Sequence, residues 1–365
     1  MYVKSKAVLM ILSEIGGIYN LFSFFKIFPS FILDFFYNII AKNRYTWFGK
    51  SENCFIPSKE ISSRFINDWV YFLLLKKIVM KAALFPGQGS QFVGMGKDLY
   101  ESNKEAKKLF KESNKILGFD ITDVMFNGTT EELTKTDITQ PSIFIHSYIT
   151  FLVKNLKNIS AFAGHSLGEF SALACSGSLQ FEECLRLVLI RARAMQKACK
   201  NGDSTMAAVL GLEDKDVDRI CADFNDVVSA NYNCPGQIVI SGSKIEILEA
   251  CNSFKENGAK AIPLKVGGGF HSKYMESAKI ELESAVNNSK IKIPSAPIYQ
   301  NFNAKPSSIP DEIKSNLINQ LTSPVLWSQS VNRMINNNIY TFIECGPGRV
   351  LQGLVKKING DVNFE

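Results

Sequence analysis

Histidine is scarce in this chain: 365 residues contain only His146, His165 and His271. A metal centre built from clustered imidazoles therefore has little to draw on. The eight cysteines include no CxxC pair, and none has a histidine at ligand spacing. That excludes zinc ribbons and dithiol redox motifs, so neither a metal nor a disulfide is expected. The cysteines read instead as small buried hydrophobes in a reducing compartment. A surplus of one charge is also missing where a fold must lie. Residues 1–78 carry 10 of the 41 Lys and Arg and 5 of the 35 Asp and Glu, leaving 31 and 30 for residues 79–365. The overall pI of 8.7 thus belongs mainly to the leading segment and argues against a nucleic-acid partner. Residues 79–365 show neither an internal repeat nor a low-complexity run.

The leading segment has an order of its own. Lys4 and Lys6 precede Ala7 to Ala41, which is nearly all apolar or aromatic apart from Glu14, Lys26 and Asp34. A short basic region followed by an apolar one is what entry into a translocon requires. From Lys42 to Lys77 the chain is basic and acid-poor, with serine and asparagine interspersed, the character of a transit peptide. Residues 1–78 are therefore expected to be a two-part targeting leader, with no stable membrane association once it is removed. A membrane anchor through Val8 to Ile40 and a buried helix pair are the alternatives. A second apolar patch, Trp69 to Leu75, blurs the boundary. Together with an Asn-, Lys- and Ile-heavy composition, the leader points to a plastid of the apicoplast type, with a mitochondrion second.

After residue 79 the pattern is that of an α/β protein. A short apolar run, Ala82 to Phe85, enters the glycine loop PGQGSQ. Helices are predicted over Lys97–Leu117, Pro141–Leu156 and Phe181–Cys199, and a strand over Ser160–Ala163. Between Ser204 and Leu264 the order becomes β-α-β-β-α-β, the arrangement of a ferredoxin-like unit. The expected fold is a hydrolase-like α/β core, residues 79–203 and 267–365, interrupted by a small ferredoxin-like subdomain at 204–266. The active site is expected in the cleft between them.

GHSLG, residues 164–168, is a G-x-S-x-G sequence set between a predicted strand and a predicted helix. Glycines there permit a sharp turn that pushes Ser166 out of the sheet, and the helix behind it favours developing negative charge. Ser166 is the candidate nucleophile, and it needs a base. His165 is its immediate neighbour and cannot easily turn back onto it. His146 lies in the apolar stretch FIHSYI, where a satisfied core histidine is the plainer role. His271 follows GGGF, a loop able to approach another loop, and is the candidate base by elimination. No Asp or Glu announces itself as an orienting acid; a backbone or amide carbonyl could hold the imidazole instead. An oxyanion hole needs two backbone donors; Leu167 suits the first, and Gln88, between Gly87 and Gly89, lies in the early loop that supplies the second. That loop lacks the spacing of either nucleotide fingerprint.

FPGQGSQFVGMG at 85–96, TQPSIF at 139–144, AGHSLGEFSALACSG at 163–177, RARAMQ at 191–196, NYNCPGQIVISG at 231–242 and ECGPGRVLQGL at 344–354 resemble malonyl-CoA:acyl carrier protein transacylases, in order, from about residue 80 onward. The resemblance implies a Ser166–His271 pair, with the imidazole held by the main-chain carbonyl of Gln320. It implies an oxyanion hole from the amides of Gln88 and Leu167. It assigns Arg191 to the malonyl carboxylate, which a guanidinium grips bidentately, and places Gln140 at the pocket wall and His165 beside the substrate. Without the resemblance, Arg191 would read as a helix-surface ion pair. Phe270 resembles the bulky residue of malonyl-preferring acyltransferases and should crowd a 2-methyl branch. The implied reaction moves malonyl from coenzyme A to an acyl carrier protein through an acyl-serine, with no cofactor. Two rivals stand beside it: a G-x-S-x-G esterase or lipase, which would need an acid partner, and an inactive carrier-binding module, which would have lost Ser, His or Arg.

Overall fold

The structure, a computed structural model, describes residues 28–48, 80–200 and 203–365, together with residues 8, 9, 12, 24 and 25. Most of the expected leader, including Trp69 to Leu75, lies outside the described residues. Within it, a helix spans Ser30–Phe48. No helix among the described residues is long and apolar enough to cross a membrane. Residues 1–77 and 78–365 divide into two compact units; all that follows concerns the second.

Ten strands are formed there: β1 (Lys81–Phe85), β2 (Ile159–Gly164), β3 (Ser204–Leu210), β4 (Val227–Cys234), β5 (Gln237–Ser243), β6 (Lys260–Pro263), β7 (Ile298–Gln300), β8 (Lys305–Ser307), β9 (Thr341–Glu344) and β10 (Asn363–Phe364). Six build the core sheet in the order β10-β9-β1-β2-β7-β8. All neighbours in it run parallel except β7 and β8. Its central strands are apolar on both faces, as a parallel sheet covered by helices requires. Alternate residues divide between two cores: Ala83, Phe85 and Phe162 to one side, Ala82, Leu84, Ala161 and Ala163 to the other. This is the hydrolase-like core.

The remaining four strands form an antiparallel sheet in the order β4-β5-β3-β6, with helices Asp214–Cys221 and Lys244–Glu256 in its crossovers. That is the ferredoxin-like topology. One face carries a core of its own, including Val209, Ile220, Ile238, Ile240 and Phe254. The other face turns Met206 and Val239 toward the main core.

Two helices depart from the sequence reading. The expected helix from Lys97 to Leu117 is two, Lys97–Ser102 and Lys104–Leu117. Asn103 breaks the run in an extended conformation, and its side chain accepts the Glu105 and Ala106 amides as the cap of the second helix. The helix expected to start at Pro141 begins at Thr136, with the proline inside it. Burial of Ile143, Phe144, Ile145 and Ile149 offsets the hydrogen bond that the proline nitrogen cannot make.

Candidate active site

β2 ends at Gly164, and the helix Gly168–Cys175 starts four residues later. A turn that tight leaves no room for side chains on its glycines. A Cβ on Gly164 would lie 1.9 Å from the Gly168 carbonyl carbon, and one on Gly168 would lie 2.0 Å from the Phe85 carbonyl oxygen. Ser166, at its apex, has a φ of 52°, in the left-handed region that a serine seldom adopts. His271 also has a positive φ, 58°. The two side chains meet, with Ser166 Oγ 2.8 Å from His271 Nε2.

The other imidazole nitrogen, Nδ1, lies 2.9 Å from the Gln320 carbonyl oxygen. A carbonyl only accepts, so Nδ1 carries the proton and Nε2 is left free to accept from the Ser166 hydroxyl. A main-chain carbonyl thus fills the place that an acid takes in a serine hydrolase. Burial and the nearby Arg191 charge push the His271 pKa down to about 3, which keeps the ring neutral at physiological pH.

Arg191 enters from the helix Phe181–Ala198 and is completely buried, unlike the surface ion pair that the bare sequence suggests. Nη1 donates to Gln140 Oε1 at 2.7 Å, and Nη2 donates to Ser166 Oγ at 2.9 Å and Gln320 Oε1 at 3.2 Å. Nε has no partner. No described carboxylate forms a salt bridge with this guanidinium. Burial lowers its pKa to about 10, with Glu169 acting electrostatically in the opposite direction, so it remains a cation. Its direct hydrogen-bond acceptors are all neutral, which leaves the guanidinium free to take a directly paired anion.

Gln88, Leu167, Gln140, His165 and Phe270 line the same cavity of about 210 Å³ as Ser166, Arg191 and His271. The amides of Gln88 and Leu167 have no protein acceptor among the described residues. His165 lies beside the Trp327 ring, with Nε2 2.8 Å from Asn233 Oδ1 of β4. His146 sits elsewhere, buried, with Nδ1 3.2 Å from the Thr150 hydroxyl. Sequence reasoning missed Asn233 and Asn301. Asn301 Oδ1 accepts the Ser166 amide at 2.6 Å from 135 positions along the chain. Asn233 lies in the motif NYNCPGQIVISG, which carries the resemblance without marking its role, and Asn301 only follows a short strand in an asparagine-bearing segment. No group of three or more His, Cys, Asp or Glu among the described residues could hold a metal ion.

This arrangement can acylate and deacylate a serine beside a cation that receives an anionic acyl group. A family model described as "Acyl transferase domain" matches residues 83–360. A second, "DCC1-like thiol-disulfide oxidoreductase", matches residues 1–50, a stretch with no cysteine to perform such chemistry. The chain is 43% identical over 285 residues to the malonyl CoA-acyl carrier protein transacylase of Bacillus subtilis, covering 76% of this chain and 90% of that one. Among solved structures it is similar to the malonyl CoA-acyl carrier protein transacylase of Coxiella burnetii, with a TM-score of 0.76 and 32% identity over 78% of this chain and 92% of that one. It is also similar to a malonyl-transacylase solved in complex with its type II PKS acyl-carrier protein. There the TM-score is 0.76 and the identity 35%, over 78% of this chain and 94% of the other.

Proposed function

Because this chain belongs to the acyl transferase domain family, we propose that it transfers malonyl from malonyl-CoA to the phosphopantetheine thiol of an acyl carrier protein, supplying fatty acid synthesis. The observation that carries the reading is the buried Arg191, without a salt bridge among the described residues and in contact with Ser166 Oγ. It puts a carboxylate receptor beside a nucleophile. In the first half-reaction Ser166 Oγ attacks the thioester carbonyl and its proton passes to His271 Nε2. The oxyanion gathers on the Gln88 and Leu167 amides. Collapse breaks the carbon–sulfur bond, and coenzyme A leaves with the proton from His271. The carrier's thiol then repeats the sequence in reverse, giving its proton to His271 and taking the acyl group from Ser166. No cofactor is called for, since one ester replaces one thioester and is replaced by another. Arg191 anchors the far end of the acyl group and fixes the carbonyl for attack. Phe270, a buried bulky residue of the cavity wall, supports a preference for malonyl over methylmalonyl, whose 2-methyl branch it would crowd.

The decisive measurement is mass spectrometry of the protein mixed with malonyl-CoA. A malonyl adduct on the Ser166 peptide is expected; an adduct on another residue, or none, would overturn the assignment.

Residues 1–78 fit a leader that takes the enzyme to a plastid of the apicoplast type through the secretory route, the alternative destination being a mitochondrion. Their apolar-then-basic order and charge imbalance, set against the near-neutral remainder, support that reading. A fluorescent fusion of the full chain should enter the organelle, and one lacking residues 1–78 should stay in the cytosol. Identical distribution of the two would rule the leader out.

A further inference from the structure

Glu169 is a buried acid that the transfer just described does not use. It stands in the first turn of the helix that follows Ser166, with 1% of its surface exposed. Its carboxylate faces the end of β7. Oε1 accepts the Asn301 backbone N–H, and Oε2 accepts Gln300 Nε2 at 3.5 Å. Gln300 is itself fixed, donating to the Ile313 carbonyl at 3.2 Å and accepting Asn316 Nδ2 at 2.8 Å. The Asn301 N–H and Gln300 Nε2 are donors, which a carboxylate suits. Burial pushes the Glu169 carboxyl up to about 7, while these hydrogen bonds, the Gln320 side chain and the Arg191 charge act to keep it ionised.

The residue Glu169 holds is the one that spans the nucleophile turn. Asn301 Oδ1 accepts the Ser166 N–H at 2.6 Å, and Asn301 Nδ2 donates to the Gly164 carbonyl at 2.8 Å. One amide therefore grips the turn at its start and at its apex. A left-handed serine costs roughly 1–3 kcal/mol and persists only where its surroundings over-determine it. Gln320 Nε2 adds a third tie, to the Ser166 carbonyl at 3.1 Å.

We propose that Glu169 and Asn301 are a positioning pair for the nucleophile, in which the Glu169 carboxylate locks Asn301 and the Asn301 amide holds Ser166 in the turn that aims Oγ at His271. This rests on the reading of Ser166 as the acylated serine. Glu169→Gln nearly preserves shape, but it sets an NH2 group against the Gln300 NH2 group and removes the ability to ionise. Asn301→Ala frees the turn directly.

The test compares the full chain with Glu169→Gln, Glu169→Ala, Asn301→Ala and the Glu169→Gln/Asn301→Ala double variant. Each is given malonyl-CoA, and the rate and half-saturation of adduct formation on Ser166 are followed by quenched mass spectrometry. Inactivation by diisopropyl fluorophosphate is measured alongside. Glu169→Gln should slow acylation about tenfold and Asn301→Ala about a hundredfold, as expected for one and two disturbed buried hydrogen bonds. Half-saturation should stay within about twofold, because the ground-state pocket is untouched. Glu169→Ala should be slower than Glu169→Gln, and the double variant no slower than Asn301→Ala, since the carboxylate acts through the asparagine. Wild-type rates in Asn301→Ala or Glu169→Gln, effects that multiply in the double variant, or equal losses in rate and half-saturation would each overturn the pair. If Glu169→Gln does not fold, Asn301→Ala alone decides. A wild type that reacts with the fluorophosphate at Ser166 but not with malonyl-CoA would sink the malonyl reading, while the fluorophosphate rates still judged the pair.

Discussion

The two sheets meet the same cavity under opposite constraints. In the core sheet, β1, β2, β7 and β9 run parallel and are largely buried on both faces, so side chains along the strands are committed to packing. Chemistry is left to the loops beyond their carboxyl ends. Gln88 follows β1, Ser166 follows β2 and Asn301 follows β7. In the inserted sheet the strands are antiparallel and one face has a core of its own, so the other is free to line the cavity along its length. Met206 of β3, Asn231 and Asn233 of β4, and Gln237 and Val239 of β5 are all wall residues. The core sheet thus presents reacting groups at fixed points, and the insert presents a surface. If that division is sound, substitutions at the core strand ends should strike the chemical step, and substitutions in the insert should strike binding.

The largest effect should come from Ser166→Ala. It removes the only group among the described residues placed both on His271 Nε2 and against Arg191. Adduct formation and transfer should both disappear, read as stoichiometric malonylation by mass spectrometry. A stoichiometric adduct in the variant would move the nucleophile away from the β2 end and break the comparison at its base.

Arg191→Ala comes next. A malonyl carboxylate left desolvated without its partner loses roughly 2–5 kcal/mol, or about thirty- to several-thousand-fold in malonyl turnover. An acetyl group has no carboxylate and should be transferred as before or faster. The ratio of kcat/KM for malonyl-CoA to that for acetyl-CoA is the readout. An equal fall in both would reduce Arg191 to a packing residue.

A smaller effect is expected in the pH profile. Burial and the Arg191 charge hold His271 at about 3, below the ordinary histidine value, so the neutral form needed by a base is present above that and is lost only as pH falls through it. His271 should therefore contribute no acid limb to kcat/KM between about pH 5 and 7. A limb near 7 is instead expected from Glu169, whose carboxyl is pushed up to about 7 by burial, and that limb should vanish in Glu169→Gln. Once a malonyl carboxylate pairs with Arg191, one of the charges depressing His271 is cancelled. The acid limb of kcat should then lie above that of kcat/KM. An inflection near the ordinary histidine value that survives in Glu169→Gln would show that the buried pair is more open to water than this geometry allows.

How much of this was legible in the sequence follows from where each signal is stored. The turn at Ser166 is written in five contiguous residues, because its glycines are required by contacts within the turn and with the neighbouring strand. His271 could be reached by elimination from three histidines, and the β-α-β-β-α-β order was local enough to give the inserted sheet. Arg191 was legible only through resemblance, since a helical arginine looks the same whether it faces solvent or a cavity. Asn301 lies outside every motif that carries the resemblance, and Asn233 and Glu169 lie inside such motifs with nothing to mark their roles. Their roles depend on partners 135, 68 and 132 positions away, and an amide or carboxylate in a loop or helix carries no spacing rule. The break at Asn103 was missed for the opposite reason. Residues 97–117 have helical periodicity throughout, and a single capping asparagine overrides it.

The smallest effect, and the sharpest test of the insert's part, is expected from Asn233→Ala. Asn233 Oδ1 is the acceptor for His165 Nε2, and His165 is half-buried with its pKa pushed down by desolvation. The ring is therefore neutral, and it donates from Nε2. Removing the acceptor leaves that N–H unpaired against the cavity wall, a cost of about 1–3 kcal/mol that the folded protein carries before any substrate arrives. Part of it should appear as a lower melting temperature. The rest should appear in KM, because His165 forms the wall beside Ser166 without touching the hydroxyl or the base. A several-fold rise in KM for malonyl-CoA with kcat within about twofold is the expected split. The opposite split, with kcat down by two orders of magnitude and KM unchanged, would mean that β4 reaches into the reacting geometry itself. The insert would then have to be counted with the core strand ends as part of the chemical apparatus.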